Sequence, residues 1–208
     1  LKEHFSPLQV TLSMDDPSSF AEDGLVVGSL ITWLKDTARD GKPLWKKWNL
    51  LWLMPACLIP ILTFRLTGRA VYTFSPAKLR GLLKAYLEAH LVVSEAGGFL
   101  YHSGSGLTLF IAFFSLALAL IAGKPLYLFP QSIGPFSKRW ECILAGWVLG
   151  RARIVMVREP ISLQQLEKCG IRNNNFILMP DLAFGFKSAP PAEAEAWLIQ
   201  QGIDPSQD

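Results

Sequence analysis

The sequence predicts an α/β protein built on a doubly wound parallel sheet. Three observations carry this expectation. Short apolar runs recur at residues 91–94, 126–129, 154–157 and 176–179. Each run breaks into a polar turn holding Gly, Pro or an acidic residue, and a helical pattern follows. Half of the 208 residues are hydrophobic and 18% are charged, enough apolar surface for a sizeable core. The order β-α-β-α-β-α-β-α-β is that of parallel strands joined by crossover helices.

The elements follow in chain order. Residues 1–5 read as the tail of a helix, and the chain opens at Leu1 without a basic-then-apolar leader, so the expectation is a piece of a longer protein. Residues 8–14 alternate apolar and polar side chains and end at Asp15-Asp16-Pro17, which predicts a strand. Residues 23–39 carry apolar side chains at helical spacing, and Asp40-Gly41-Lys42-Pro43 stops them. The region 44–66 is unusual: Trp45, Trp48 and Trp52 lie beside Lys46 and Lys47, and an almost uncharged run follows, interrupted by Pro55 and Pro60. It is too short and too broken to span a bilayer, which takes ~20 apolar residues. It reads either as a hydrophobic insertion packed on the domain or a partner, or as a peripheral membrane helix with Trp and Lys at the interface.

Residues 70–74 predict a short strand. Ser75-Pro76 predicts the start of a helix running to Ala89, with Ser at the cap and Pro at the first helical position. The strand 91–94 opens onto a glycine-rich loop, 95–106. Residues 107–122 are apolar nearly all round, and their flanks predict a helix buried on a sheet rather than a span. The strand 126–129 breaks at Pro130 into a turn holding Gln131, Ser132 and Gly134. A helix follows over 140–150, then the strand 154–157. Arg158-Glu159-Pro160 opens a helix that ends at Gly170. The strand 176–179 closes at Pro180-Asp181, and Pro190-Pro191 begins a polar helix to Gln201. Residues 203–208 have linker composition.

The formal net charge of +3 is small. It argues against a dedicated nucleic-acid binder, which shows a basic stripe, and it suits an anionic small substrate or membrane face. Cys57, Cys142 and Cys169 are scattered and odd in number, without metal-ligand spacing. They read as reduced thiols of a cytoplasmic protein, at the inner face of the membrane if the region 44–66 touches lipid.

Parallel strands present ligand-binding groups at their carboxyl ends. Four consecutive strands here end in such groups: Glu95, Gly97 and Gly98; Gln131, Ser132 and Gly134; Arg158 and Glu159; and Asp181. Gly97 and Gly98 permit close backbone approach and positive φ, or form only a tight turn. Gln131 and Ser132 offer an amide and a hydroxyl to a phosphate or carboxylate, unless Ser132 merely caps its own backbone. Arg158 matches a carboxylate or phosphate bidentately, or forms an ion pair with Glu159 or Asp181. Asp181 binds, or orients backbone donors at its turn. His102 in the glycine-rich loop is the acid/base candidate, with Glu95 beside it in sequence. His4 and His90 have no supporting context, and Ser132 lacks a nucleophile-elbow sequence.

At these residues a resemblance emerges. Val92-Val-Ser-Glu-Ala-Gly-Gly-Phe-Leu-Tyr101, Gln131-Ser-Ile-Gly-Pro-Phe136, Val157-Arg-Glu159 with Ser162, and Met179-Pro-Asp-Leu-Ala-Phe184 occur in that order. Together they resemble the polysaccharide pyruvyl transferase family over residues 8–184, although His90 and Ala96 stand where many relatives have Asp and Gly. The resemblance implies a Rossmann-like, GT-B-type N-terminal domain over 1–188 with the insertion at 44–66. Residues 189–208 would lead toward a second domain. It further implies transfer of a pyruvyl group from phosphoenolpyruvate to a saccharide acceptor, a cell-surface polysaccharide or its precursor, giving a ketal. It implies no metal and no redox cofactor, and a piece of this kind is expected to be inactive alone. The alternatives from the residues are a GT-B-like glycosyltransferase using a nucleotide sugar, or a non-catalytic remnant binding a membrane or partner through 44–66.

Overall fold

The computed structural model describes residues 9–16, 25–31, 33, 43–104 and 106–203, with the side chains of 25 and 43–50 left aside. The helix tail expected at 1–5, the end of the helix expected over 23–39, the side chains of Trp45, Lys46, Lys47 and Trp48, and the linker at 204–208 lie outside the described residues.

Strand β1, Thr11–Met14, pairs in parallel with β2, Leu25–Gly28, in the register Thr11↔Leu25 to Met14↔Gly28. The sequence reading placed 25–28 inside a helix. A four-residue apolar run fits both periods, and the two valines favour the extended form once a partner strand is available. Helical geometry begins at Leu30, with Ser29 Oγ accepting from Ile31 N at 3.1 Å.

Helix α1, Pro43–Thr67, runs through both of its prolines. An interior proline leaves the carbonyl four residues earlier without its N–H donor. For Pro60 that carbonyl belongs to Ala56, and the buried Ser75 Oγ donates to it at 2.6 Å. For Pro55 it belongs to the exposed Leu51, within reach of water. Residues 70–74, expected as a strand, instead run back along the end of α1. Their backbone is satisfied by a side chain there: Val71 N donates to Thr63 Oγ1 at 3.1 Å. Helix α2, Ala77–Glu88, follows. Ser75 does not cap it, because its hydroxyl is engaged by Ala56.

The main sheet is parallel, with neighbouring strands β3 Val92–Ser94, β5 Leu126–Ile133, β6 Ile154–Val157 and β7 Phe176–Leu178. Strand β4, Gly97–Leu100, also pairs with β5, further along its length. Thus β3 and β4 form one broken edge beside a single long strand, where the sequence reading had only a loop after Ser94. Strand β5 likewise continues past Pro130. Leu128 faces Val155 and Gln131 faces Val157, so β5 holds one extra residue between these pairs. A bulge of this kind tolerates the proline, which has no N–H for the ladder.

Side chains alternate across the sheet. Leu126, Leu128, Val155 and Val157 are buried, whereas Tyr127, Phe129, Ile154 and Met156 are half-buried on the other face. Helix α3, Leu107–Ile121, lies between two cores, which explains its nearly uniform apolarity without a membrane. Leu109, Phe113 and Leu116 join the sheet core, while Ile111, Phe114 and Leu118 pack with residues of α1 and α2. Helices α4, Arg139–Leu149, and α5, Pro160–Lys168, contribute Val148, Leu149 and Leu166 to the sheet core. Helix α5 ends as the sequence predicts: Gly170 has φ +72°, Gly170 N donates to Glu167 O, and Ile171 N donates to Leu166 O. A short 3-10 turn, Leu182–Gly185, and helix α6, Pro191–Gln200, complete the described chain. The whole is an α/β fold of parallel sheets flanked by helices, as a Rossmann-like doubly wound class requires.

One expectation about the cysteines is overturned. Cys142 on α4 and Cys169 at the end of α5 form a disulfide, and Cys57 is the free, buried thiol. The two bonded residues are 27 apart in sequence, and no local spacing links them.

Candidate functional site

The carboxyl ends of β4, β5, β6 and β7 meet at one edge of the sheet. Arg158, the residue after β6, holds the centre. Its Nε donates to Ser132 Oγ at 2.6 Å, and its Nη1 donates to Asp181 Oδ2 at 2.7 Å. Its Nη2 lies over Gly98: a Cβ on that glycine would stand 3.4 Å from Nη2 and 3.7 Å from Ser132 Cβ. Among the described residues, Nη2 has no hydrogen-bond partner. Alternation explains the convergence. Ser132 and Arg158 fall on the same face of adjacent strands, and only a residue without a side chain fits beside them on β4. Asp181 caps the 3-10 turn, with Oδ1 accepting from Ala183 N at 3.0 Å. That bond, followed by the one from Arg158, holds its carboxyl below the usual value. The sequence thus left two roles open for Arg158, and the ion pair with Asp181 exists while one nitrogen of the fork remains open.

Other predicted residues are placed differently. Gly97 and Gly98 lie in a strand, not a loop, and neither uses positive φ. Gln131 is fully buried on the core face. Its Nε2 donates to Ser94 Oγ at 3.2 Å and to the Glu95 carbonyl, tying the break between β3 and β4 to β5. Its Oε1 has no partner among the described residues. Gln131 therefore supports the edge from within. Glu95 occupies that break with its side chain exposed. Gly134 does turn the chain, with φ +78°, and a Cβ there would stand 2.8 Å from Gln165 Cβ on α5. Ser162, buried at the start of α5, accepts from Ile133 N at 2.9 Å and donates to Glu159 Oε1 at 3.1 Å, anchoring the end of β5.

His102 follows β4 at the same edge. Its backbone N donates to Pro135 O at 3.0 Å, and Gly134 N donates to Leu100 O at 2.8 Å, so the loops after β4 and β5 are laced together. Its Nδ1 lies 2.6 Å from Oε1 of Glu141, which is fully buried. The other oxygen of Glu141 accepts from Ser137 N at 2.8 Å and Lys138 N at 3.1 Å, at the start of α4. Burial alone would push the Glu141 carboxyl up. The bonds from His102, Ser137 and Lys138 together outweigh it and hold the carboxyl below its ordinary value. An ionised carboxylate only accepts, so Nδ1 is the donor in this contact. Gly106 permits this contact: it has φ +82°, and a Cβ there would stand 2.8 Å from Glu141 Oε1.

Glu141 was missed in the sequence. Its one local signal is an acidic residue in the first turn of a helix, where the helix dipole favours it. Its partner stands 39 residues earlier, and no spacing rule links them. Among the described residues no group of three or more His, Cys, Asp or Glu is arranged to hold a metal ion. A cleft of about 510 Å³ lined by Lys124, Arg151 and Arg153 lies at the opposite edge of the sheet, away from all these groups.

The order of motifs along this edge was what suggested a family, and comparison with known proteins supports it. The amylovoran biosynthesis protein AmsJ of Erwinia amylovora is 39% identical over 66 residues, which is 32% of this chain and 16% of that protein. No solved structure matches. The family profile described as polysaccharide pyruvyl transferase matches residues 29–205, a span that takes in every group at the edge of the sheet. The chain belongs to the polysaccharide pyruvyl transferase family.

Proposed function

We propose that this chain supplies the anion-gripping half of a transferase that moves the pyruvyl group of phosphoenolpyruvate onto a saccharide acceptor, forming a ketal on a cell-surface polysaccharide or its precursor. The observation that carries the reading is the guanidinium of Arg158. Two of its nitrogens are fixed by Ser132 and Asp181, and Nη2 is kept clear by Gly98. A guanidinium fixed in this way is preorganised for a carboxylate or phosphate oxygen. Asp181 orients the fork but offsets part of its charge, so a doubly negative donor needs a further cation or N–H group from beyond this cluster.

In the reaction, two sugar oxygens bond to C2 of the donor and the C2–O bond to phosphate breaks. One hydroxyl proton ends on C3, which becomes a methyl group, and the other leaves with phosphate. Proton transfer on both sides calls for a positioned acid/base. His102 fits that role, because Glu141 holds Nδ1 as donor and leaves Nε2 to act as base. The acceptor hydroxyl is the natural group for Nε2 to deprotonate.

The test is donor choice. The complete transferase that contains this chain is incubated with a saccharide acceptor and either phosphoenolpyruvate labelled in its pyruvyl carbons or a labelled nucleotide sugar. Acid-labile label appearing on the acceptor from phosphoenolpyruvate, with release of phosphate, is the expected result. Label passing from the nucleotide sugar alone would make the protein a glycosyltransferase and sink the proposal.

A further inference from the structure

Helix α1 has two faces with opposite fates. Leu53, Ala56, Cys57, Pro60 and Ile61 are buried against α2 and α3. The residues at the complementary helical positions point away from the protein: Leu51, Leu62 and Leu66 are 65%, 46% and 84% exposed. Their spacing of eleven and four residues keeps them on one stripe, about 22 Å long at ~1.5 Å per residue. Trp52 and Phe74 flank the stripe edge to face, with ring centroids 5.7 Å apart, and both are exposed. A soluble helix normally turns a polar face outward. This one turns leucines outward at both ends of its described length, with Leu58 half-buried between them.

The charges around it are equally one-sided. Residues 41–87, which contain α1 and nearly all of α2, hold eight of the chain's 20 Lys and Arg and none of its 17 Asp and Glu. The rest of the chain is therefore net acidic, and the small overall charge conceals a strongly basic segment. Apolar side chains facing out, aromatic rings at their border and a basic composition in the same segment, where Lys84 pairs with Glu88 at the border, are the three features of a helix that lies in a lipid headgroup layer. No helix among the described residues is long and apolar enough to cross a membrane.

The geometry points to the outward face of α1 as a docking surface for an anionic lipid bilayer. The helix lies in the plane of the surface, with Leu51, Leu62 and Leu66 inserted among the acyl chains. The basic composition of the segment favours anionic headgroups. A protein partner or a second copy would also accept leucines, but neither accounts for a 47-residue segment without a single acidic side chain. This placement stands apart from the donor reading, since none of these residues belongs to the strand-end site.

Vesicle co-sedimentation tests it. The protein is mixed with vesicles of phosphatidylcholine and phosphatidylglycerol, or of phosphatidylcholine alone, at low and high salt. Binding to the anionic vesicles, weakened by salt, is expected. Leu62→Glu and Leu66→Glu change exposed side chains and should leave the thermal melt unchanged, while each lowers partitioning about tenfold or more. If L62E should disturb the fold, L66E, at the more exposed position, still decides the matter. No binding to anionic vesicles would overturn the inference, as would binding that both variants retain. So would lipid-free self-association that L66E abolishes.

Discussion

Replacing Glu141 by leucine tests the joint between His102 and the start of α4. The carboxylate accepts three hydrogen bonds, from His102 Nδ1, Ser137 N and Lys138 N, while its own side chain is fully buried. Leucine fills the space but leaves all three donors without that acceptor. The two backbone donors sit in partly exposed residues, so each loss costs about 1 kcal/mol. The charge-assisted bond to the ring costs about 1.5 kcal/mol or more. Loss of a favourable charge at the helix start adds ~0.5 kcal/mol. The total is about 4 kcal/mol. With a urea slope of roughly 2–3 kcal/mol per molar, the unfolding midpoint falls by about 1–2 M. Glu141→Gln keeps the shape and one acceptor and should lose about half as much.

Proton linkage supplies a second readout. The folded-state carboxyl titrates below its ordinary value of 4.5, so its contribution is present above pH 4.5 and is lost as pH falls through the folded value. E141Q should lack that part of the acid sensitivity. If E141L melted at the wild-type urea concentration, the bonds around Glu141 would carry no net stability and the fixing of His102 through Nδ1 would lose its basis.

Other outcomes follow from single contacts. Ser75→Ala should cost about 1–3 kcal/mol, because Ala56 O loses the donor that replaces the missing N–H of Pro60; a change within error would show that water serves as well. Gly134→Ala should cost about 2–4 kcal/mol, since it combines positive φ with a Cβ placed 2.8 Å from Gln165 Cβ, and a loss under about 1 kcal/mol would contradict that geometry. Thiol titration of the unreduced, denatured chain should find one reactive group, Cys57, and three after reduction. In the folded protein Cys57 should not react, because burial pushes its thiol up to about 12. Three thiols without reduction would show that Cys142 and Cys169 are not joined.

The parts of the fold legible in the sequence were those written in local patterns. The strand at 154–157, the buried helix from Leu107, and the glycine stop at Gly170 were each a short run with its own punctuation, and all are present. What stayed hidden depends on partners distant in the chain. Leu25–Gly28 is a strand because β1 lies beside it. Gly97 and Gly98 extend because the far half of β5 has an open ladder there, and Pro130 stays in that strand because a bulge absorbs it. Helix α1 passes Pro60 because a serine fifteen residues on replaces the lost donor. At the site, the sequence picked out Gly98, Ser132, Arg158 and Asp181 because each follows a predicted strand, and parallel strands bring such positions together. It could not tell that Gln131 faces inward, since a one-residue bulge reverses which side a residue takes. Nor could it pair His102 with Glu141, whose contact exists only after α4 packs beside the loop.

The account rests on Arg158 Nη2 being an open anion contact. Calorimetric titration of phosphoenolpyruvate into the wild-type chain and into Gly98→Val tests this most directly, because the Cβ of the new side chain would stand 3.4 Å from that nitrogen and crowd the approach to it. Binding by the wild type that weakens about tenfold or more in G98V, with an unchanged melting temperature, is the predicted result. Equal affinity of the two proteins would contradict it.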